Sequence, residues 1–283
     1  MKKFFYSLFL SVSIISSLAA DITSGLSHFV ELNCSFEPAT SRNARRHHKK
    51  GDHGHTHPHM PVAEGLSLNW SGYASATNLA NPTANSVSAV SGIWTVPQLA
   101  PTPDNTYSSF WVGIDGYGSN SVEQIGTEHD WSNGVQSNYA WFEMYPNPSY
   151  EIIGFPVNVG DLIQGEVEYI GNNEFKLSLV NYTRSIYAVI PYIYTTSSTA
   201  KRASAEWIVE APSISSGPLP LADFRTGAFM NCTATMNNVT GGIQSPQWQT
   251  DALTMISQSG TIKAVPSTLS QNNESFTVTW EHE

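Results

Sequence analysis

The chain has 283 residues, 40% hydrophobic and 13% charged, with 13 Lys+Arg against 23 Asp+Glu. That length and apolar share support one or two packed domains and exclude disorder throughout. A net charge of −10 argues against nucleic acid as the main partner, because phosphate neutralisation needs basic patches, and two cysteines exclude a disulfide-dense scaffold or a four-cysteine zinc site.

The charge is uneven along the chain. Residues 1–60 hold seven Lys/Arg and seven of the nine histidines. Residues 61–283 hold six basic and 19 acidic groups, a net −13. Lys2-Lys3 and the apolar run Phe4 to Ile15 read as a secretory signal over 1–19. It has a charged start, an apolar stretch too short to span a bilayer, and small residues Ser17 and Ala19 at the expected cleavage point. Secretion follows as the expectation, extracellular or periplasmic in transit, with no membrane attachment after signal removal.

Residues 20–60 have few large apolar side chains and cannot build a core of their own. Arg42 to Lys50 is a basic run, and His53, His55, His57 and His59 alternate with small residues and Pro58. Three readings stay open: a linker, a pro-segment that neutralises the acidic body, and a His-rich metal tract. The last is weak, since no fold fixes the ligand geometry. Cys34 lies in this front part and Cys232 in the body; an exported chain can pair them or leave both free.

The body, 61–283, reads as short strands between Gly/Pro/Asn/Ser clusters. They are expected at 69–77, 87–96, 108–115, 121–128, 138–145, 161–170, 174–181, 186–195, 203–211, 249–255, 260–264 and 275–281. Many short strands without helical periodicity predict an all-β sandwich or barrel. Side chains at i and i+2 share a strand face. In 108–115, Phe110, Val112 and Ile114 form a core face, and Trp111, Gly113 and Asp115 lie opposite. In 138–145, Ala140, Phe142 and Met144 oppose Trp141, Glu143 and Tyr145. In 203–211, Ala205, Trp207, Val209 and Ala211 oppose Glu206, Ile208 and Glu210. Gln124 and Glu128 share a face with Val122 and Gly126. Faces that pair aromatic rings with acids and lack Lys and Arg suit a cleft for an extended ligand rather than a plain solvated surface. Clustered, partly buried carboxyls hold their protons, which favours work in acid.

Five motifs in this order carry a resemblance: Asn69-Trp70-Ser71-Gly72-Tyr73, Trp111-Val112-Gly113-Ile114-Asp115-Gly116, Gln124-Ile125-Gly126, Trp141-Phe142-Glu143-Met144-Tyr145-Pro146 and Ala205-Glu206-Trp207-Ile208-Val209-Glu210. Together they resemble the glutamic peptidases, or eqolisins, a family of acid endopeptidases. The resemblance implies a two-layer antiparallel β-sandwich with a concave substrate face and a Gln/Glu dyad. By motif position the dyad is Gln124 and Glu210. Trp70, Trp111, Asp115, Trp141, Glu143 and Tyr145 match cleft residues, and Glu206 is a further cleft carboxyl. Asp130 matches an Asp of an Asp-Trp pair after the Gln, with two extra residues intervening here. Phe142 and Met144 replace Tyr and Trp of the family pattern, both on the core face. The resemblance also implies polypeptide substrates, the chain's own pro-segment as inhibitor, a monomer, no cofactor or metal, and insensitivity to pepstatin.

A carboxylate suits the role of general base and a carboxamide that of oxyanion donor. Two rivals share the aromatic cleft: a sandwich-type glycoside hydrolase using Glu143 or Glu206 with Glu210, and a carbohydrate-binding module without catalysis. Asn69, Asn181, Asn231, Asn238 and Asn273 begin Asn-X-Ser/Thr sequons.

Overall fold

The structure is a computed structural model and describes residues 28–39, 56–193 and 200–283. The expected signal of 1–19 and the basic run from Arg42 to Lys50 lie outside the described residues. Among the described residues there are strands and turns but no helix. Two short strands come from the front of the chain, β1 (Val30–Glu31) and β2 (Ser35–Pro38). The body begins with β3 (Pro61–Ala63), β4 (Leu66–Ser67), β5 (Trp70–Ala76) and β6 (Val87–Thr95). Then come β7 (Thr106–Ile114), β8 (Val122–Ser132), β9 (Val135–Tyr145) and β10 (Tyr150–Ile153). A meander follows with β11 (Leu162–Gly171), β12 (Glu174–Asn181) and β13 (Ile186–Ile193). The chain continues through β14 (Ser204–Glu210), the small hairpin β15 (Ser213–Ile214) and β16 (Gly217–Pro218), and β17 (Thr226–Met236). It closes with β18 (Val239–Gly242), β19 (Gln249–Ile256), β20 (Ile262–Pro266) and β21 (Phe276–Trp280).

These strands form two layers. One runs β19–β5–β14–β7–β8–β9–β10–β2. The other runs β1–β13–β12–β11–β6–β17–β21–β20–β19. β19 belongs to both: Gln249 to Leu253 pair with β5, and Met255 and Ile256 pair with β20. Pairing is antiparallel throughout both layers except for β1 on β13 and β4 on β19. The fold is the expected all-β sandwich.

The alternation read from the sequence sorts side chains as expected. Phe110, Val112, Ile114, Ala140, Phe142, Met144, Ala205, Trp207, Val209 and Ala211 all join the core between the layers. Trp70, Trp111, Val122, Trp141 and Ile208 form a second cluster on the outer face of the first layer. Phe142 and Met144 are therefore core residues, away from the outer face.

Trp207 locks the two layers together. Its ring lies against Gly92 of β6, where an added Cβ would sit 2.9 Å from the ring, and its Nε1 donates to the Ser91 carbonyl at 2.8 Å. Polar groups of β8 that face the core are paired. Trp94 Nε1 donates to Thr127 Oγ1 at 2.7 Å, Thr127 Oγ1 meets His129 Nε2 at 3.1 Å, and His129 Nδ1 meets Asn138 Oδ1 at 3.1 Å. Burial without a charge partner pushes His129 down to about 3, despite its Asn138 contact.

Two differences from the sequence reading have physical causes. The eleven-residue β17 was not expected, because Gly227, Asn231 and its threonines dilute the apolar pattern; Phe229, Cys232, Ala234 and Met236 nonetheless bury one face. A register shift between Met230 and Thr233 breaks the period-two pattern further. Second, parts of the front segment join the sandwich: Leu32 and Cys34 pack on the core and Ala39 is buried. The open question of Cys34 and Cys232 is settled too: both are free.

A tight approach in the first layer is at Gly126 of β8. A Cβ there would lie 2.4 Å from the Phe110 carbonyl oxygen and 2.6 Å from Trp111 Cβ, so backbone would have to move. Gly126→Ala is expected to lower stability by about 1–3 kcal/mol, the usual cost of overpacking. A urea melt with unchanged midpoint would contradict this packing.

Candidate active site

In the first layer β14 lies between β5 and β7, and all seven of its residues are buried. Its outward positions are Glu206, Ile208 and Glu210. Register then aligns outward side chains across the sheet. Glu206, Gly113, Gln124 and Glu143 form one cross-strand row. Ile208, Trp111, Gly126 and Trp141 form the next. Glu210, Ser109, Glu128 and Tyr139 form the third. Gly113 and Gly126 keep the floor low between the larger side chains.

Glu210 is fully buried and held by neutral donors. Trp111 Nε1 donates to its Oε2 at 2.8 Å, and Asn69 Nδ2 donates to its Oε1 at 2.8 Å. Asn69 is held in turn: its Oδ1 accepts from the Met60 backbone at 3.0 Å. Gln124 Nε2 donates to Glu143 Oε2 at 2.8 Å, an orientation that aims the amide N–H groups inward over the sheet. Trp141 is steadied by its Nε1 bond to Ser109 Oγ at 2.9 Å. Trp70 packs edge-on against Trp111, centroids 4.8 Å apart.

The surprise is what lies over this floor. Residues 56–60, from the His-rich front, run along it. Thr56 exchanges two backbone bonds of 2.9 Å with Ser213, the pattern of an antiparallel pair. The His57 carbonyl accepts from Gln124 Nε2 at 3.3 Å, and its N–H donates to Glu143 Oε2 at 3.2 Å. His57 Nδ1 meets Glu210 Oε2 at 3.1 Å, and its ring stacks on Trp141 at 3.9 Å. The Pro58 carbonyl accepts from Asn69 Nδ2 at 2.8 Å. His59 stacks on Trp70 at 4.3 Å. Beyond it a groove of about 760 Å³ continues past Tyr117, Trp248, Gln249 and Leu253.

The sequence-read site residues thus fall into two groups. Gln124, Glu210, Glu143, Trp70, Trp111 and Trp141 converge around the His57–Pro58 peptide. Asp115 and Glu206 lie at the end of the floor. Asp115, at φ 72°, accepts from the backbone of Ala203 at 2.8 Å and Arg202 at 2.6 Å and from Ser121 Oγ at 3.3 Å, bracing the entry to β14. Glu206 Oε1 accepts from the Tyr117 backbone at 3.4 Å. Asp130 is buried beside Glu128, two residues along β8, and Tyr145 packs at the edge of the outer cluster. Asn69, Glu128, Ser109 and His57 were not singled out for the site. Asn69 opens the first motif, and His57 sits in the histidine tract, but neither fact signals contact with Glu210. Asn69 and Asn181 are fully buried with bonded side chains, so their sequons cannot carry a glycan in the folded chain.

Burial raises the acids here. Glu143 and Glu206 are pushed well above the usual carboxylate range, mainly by burial, then by the nearby charges of Glu210 and Asp115 respectively. Burial pushes Glu128 up to about 8, Glu210 adding to this while His57, Ser109 and Asp130 oppose it. Among the described residues no three His, Cys, Asp or Glu side chains form a metal-ligand set, and no helix is long and apolar enough to cross a membrane.

These directions set the pH dependence of stability. An acid whose folded pKa is raised contributes stability that is full below its unfolded value, 4.5 for glutamate, and lost as pH rises through the folded value. Asp115, Glu128, Glu143, Glu166 and Glu206 are all of this kind. His59, lowered to about 4, and His129, lowered to about 3, act the other way: their contribution is present above 6.5 and lost as pH falls through those values. The acids are more numerous. The melting temperature is therefore expected to fall steadily from about pH 5 to about pH 8, and to fall again below about pH 4. A melting temperature that climbs from pH 5 to pH 8 would sink the account.

Comparison with known proteins bears on this geometry. The Peptidase A4 family model matches residues 68–280. Aspergillopepsin-2 of Aspergillus niger is 29% identical over 175 residues, which are 61% of this chain and 59% of that protein. The chain thus spans less than two thirds of that relative's length. Aspergilloglutamic peptidase from Aspergillus niger superposes with a TM-score of 0.56 at 26% identity, over 62% of this chain and 99% of that one. Scytalido-glutamic peptidase with a transition state analog inhibitor gives a TM-score of 0.63 at 23% identity, over 76% of this chain and 98% of that one, a likeness of fold.

Proposed function

The chain belongs to the Peptidase A4 family, the eqolisins, and from that premise we propose that it is a secreted acid endopeptidase working with Gln124 and Glu210. One observation carries the reading. A backbone carbonyl, that of His57, sits on the Gln124 amide at 3.3 Å, and the Glu210 carboxyl lies on the same floor within reach of the same residue. A substrate carbonyl in that position would meet both groups.

The chemistry follows from the two functional groups. Glu210 takes a proton from water as the water oxygen bonds to the carbonyl carbon. The carbonyl π pair moves to oxygen, where the Gln124 N–H stabilises the charge without itself titrating. The pair then returns, the C–N bond breaks, and the leaving nitrogen receives the proton from Glu210. Peptide and water become a carboxylic acid and an amine. Trp111 and Asn69 hold the Glu210 oxygens in place, and Glu143 keeps the Gln124 N–H groups turned inward. No cofactor enters these steps. Polypeptides are the substrates, the protein acts as a monomer, and pepstatin, which targets an aspartic dyad, does not inhibit it.

Residues 20–60 act in this reading as a pro-segment that inhibits its own cleft. Support comes from His57, whose ring nitrogen occupies Glu210 Oε2 at 3.1 Å. Glu210 and Glu128 face that ring, and Glu143 takes the His57 backbone N–H. Burial already keeps Glu128 and Glu143 protonated near pH 6, so acid acts through Glu210, whose protonation removes its attraction for an imidazolium and favours release.

Glu210→Gln is expected to abolish hydrolysis of denatured protein at about pH 3–4 with the melting curve retained, since an amide accepts no proton. Gln124→Ala should lower the rate by about 10²–10³, the usual loss of one oxyanion donor. If both variants keep full activity, the dyad must be abandoned. A separate measurement addresses the pro-segment. A synthetic peptide covering residues 40–62 should inhibit the acid-activated protein at pH 6 and low salt, and lose its effect on acidification. No inhibition at pH 6 would refute the regulatory reading.

A further inference from the structure

The segment over the floor also describes the path of a peptide. Its direction and register are set by Thr56, which pairs antiparallel with Ser213. In an extended strand, side chains at i and i+2 point the same way. His57 and His59 have this spacing, and both turn their rings onto tryptophans. The His57 ring lies 3.9 Å from Trp141 with 8° between planes, and the His59 ring 4.3 Å from Trp70 with 14°. Tyr117 lies 6.1 Å from the His59 ring at 20°, on the same position of the strand.

These shelves are held in place by partners outside the segment. Trp141 is tied to Ser109, Trp70 is wedged by Trp111, and the Tyr117 hydroxyl donates to Asp251 Oδ2 at 2.9 Å. Rigid shelves at a fixed two-residue spacing select for flat side chains, because stacking on a preformed aromatic face needs a planar partner.

Resting on the peptidase reading above, we propose that the cleft selects extended peptides with a planar ring on the residue whose carbonyl meets Gln124 and a second ring two residues further on. Trp141 is the shelf for the first ring, and Trp70 with Tyr117 the shelf for the second.

The chemistry of each position narrows the ring. His59 makes no side-chain hydrogen bond of good geometry, and burial pushes it down to about 4, with the Gly116 backbone opposing. The second position therefore favours an uncharged ring such as phenyl or phenol. At the first position an imidazole places a nitrogen on Glu210, the group that must take a proton from water. A ring without that nitrogen stacks on Trp141 and leaves Glu210 open. Pro58, between the two, makes its nitrogen a tertiary amide. The built-in His-Pro-His sequence thus fills both shelves and is a poor substrate, whereas Phe-Ala-Phe fills both and can react.

The test uses the full-length secreted protein, held at about pH 3–4 until its activity on denatured casein is constant. Four end-blocked peptides are compared: Thr-Phe-Ala-Phe-Met, Thr-Ala-Ala-Phe-Met, Thr-Phe-Ala-Ala-Met and Thr-Ala-Ala-Ala-Met. Mass spectrometry should find the first cut between Phe and Ala, and each lost ring should lower kcat/KM on the order of tenfold, the size of one aromatic contact with its buried area. At pH 6 and low salt, where the front segment is expected to hold the cleft, Thr-His-Pro-His-Met should resist cleavage and compete with the first peptide. Trp141→Ala should erase the preference at the first position only, and Tyr117→Ala should weaken it at the second only. The comparison of peptides on the unaltered protein stands even if a variant fails to fold. Equal kcat/KM for the four peptides, or a cut at another bond, would overturn the two-shelf inference while casein hydrolysis upholds the peptidase. If casein is not hydrolysed either, the functional reading falls and takes this inference with it.

Discussion

Everything on the outer floor depends on one strand being buried on both faces while its side chains alternate. In β14 the inward positions, Ala205, Trp207 and Val209, are apolar and fix the strand to the second layer. The outward positions then have to be Glu206, Ile208 and Glu210, and they are as buried as the inward ones. A carboxyl group in that place is dry and must find donors from its neighbours. Neighbours supply them: Trp111 from β7 and, just before β5, Asn69.

Packing and chemistry are coupled through the same register. Gly126 leaves Trp111 and Trp141 facing across a low floor, and Gly113 leaves space between Glu206 and Gln124. The bond from Gln124 to Glu143 joins two residues directly opposite each other on β8 and β9. Burial raises these acids as a group, so a floor able to bind a peptide is also one that is most comfortable protonated. The proposed acid operation and the expected acid stability then share one cause.

The front of the chain extends this coupling. Thr56 to Met60 add a strand-like edge to the floor, and two histidines two residues apart meet two tryptophans brought together by different strands, β5 and β9. The segment is held by backbone bonds to Ser213, Gln124 and Glu143 together with ring stacking. Such contacts need only an extended peptide with the right spacing, the same requirement a substrate would meet.

The sequence by itself determined the strands with clean period-two alternation and the sorting of their faces, because which side of a strand is apolar is a local property. Phe110, Val112 and Ile114 against Trp111, Gly113 and Asp115 needed no tertiary knowledge. The family resemblance carried by the motifs pointed to Gln124 and Glu210 as the dyad, and both lie on the outer floor. Tertiary structure alone decided which of the outward residues meet. That Asp115 braces the Arg202–Ala203 backbone, while Asn69 reaches Glu210 across 141 positions, depends on strand order, and strand order leaves no local mark. It also decided that β17 is a full strand despite its diluted pattern, since its partner β6 supplies what its own sequence lacks. The place of His57 over Trp141 and Glu210 could not be read in advance for the same reason: a histidine tract with no core of its own takes its structure from the surface it lies on.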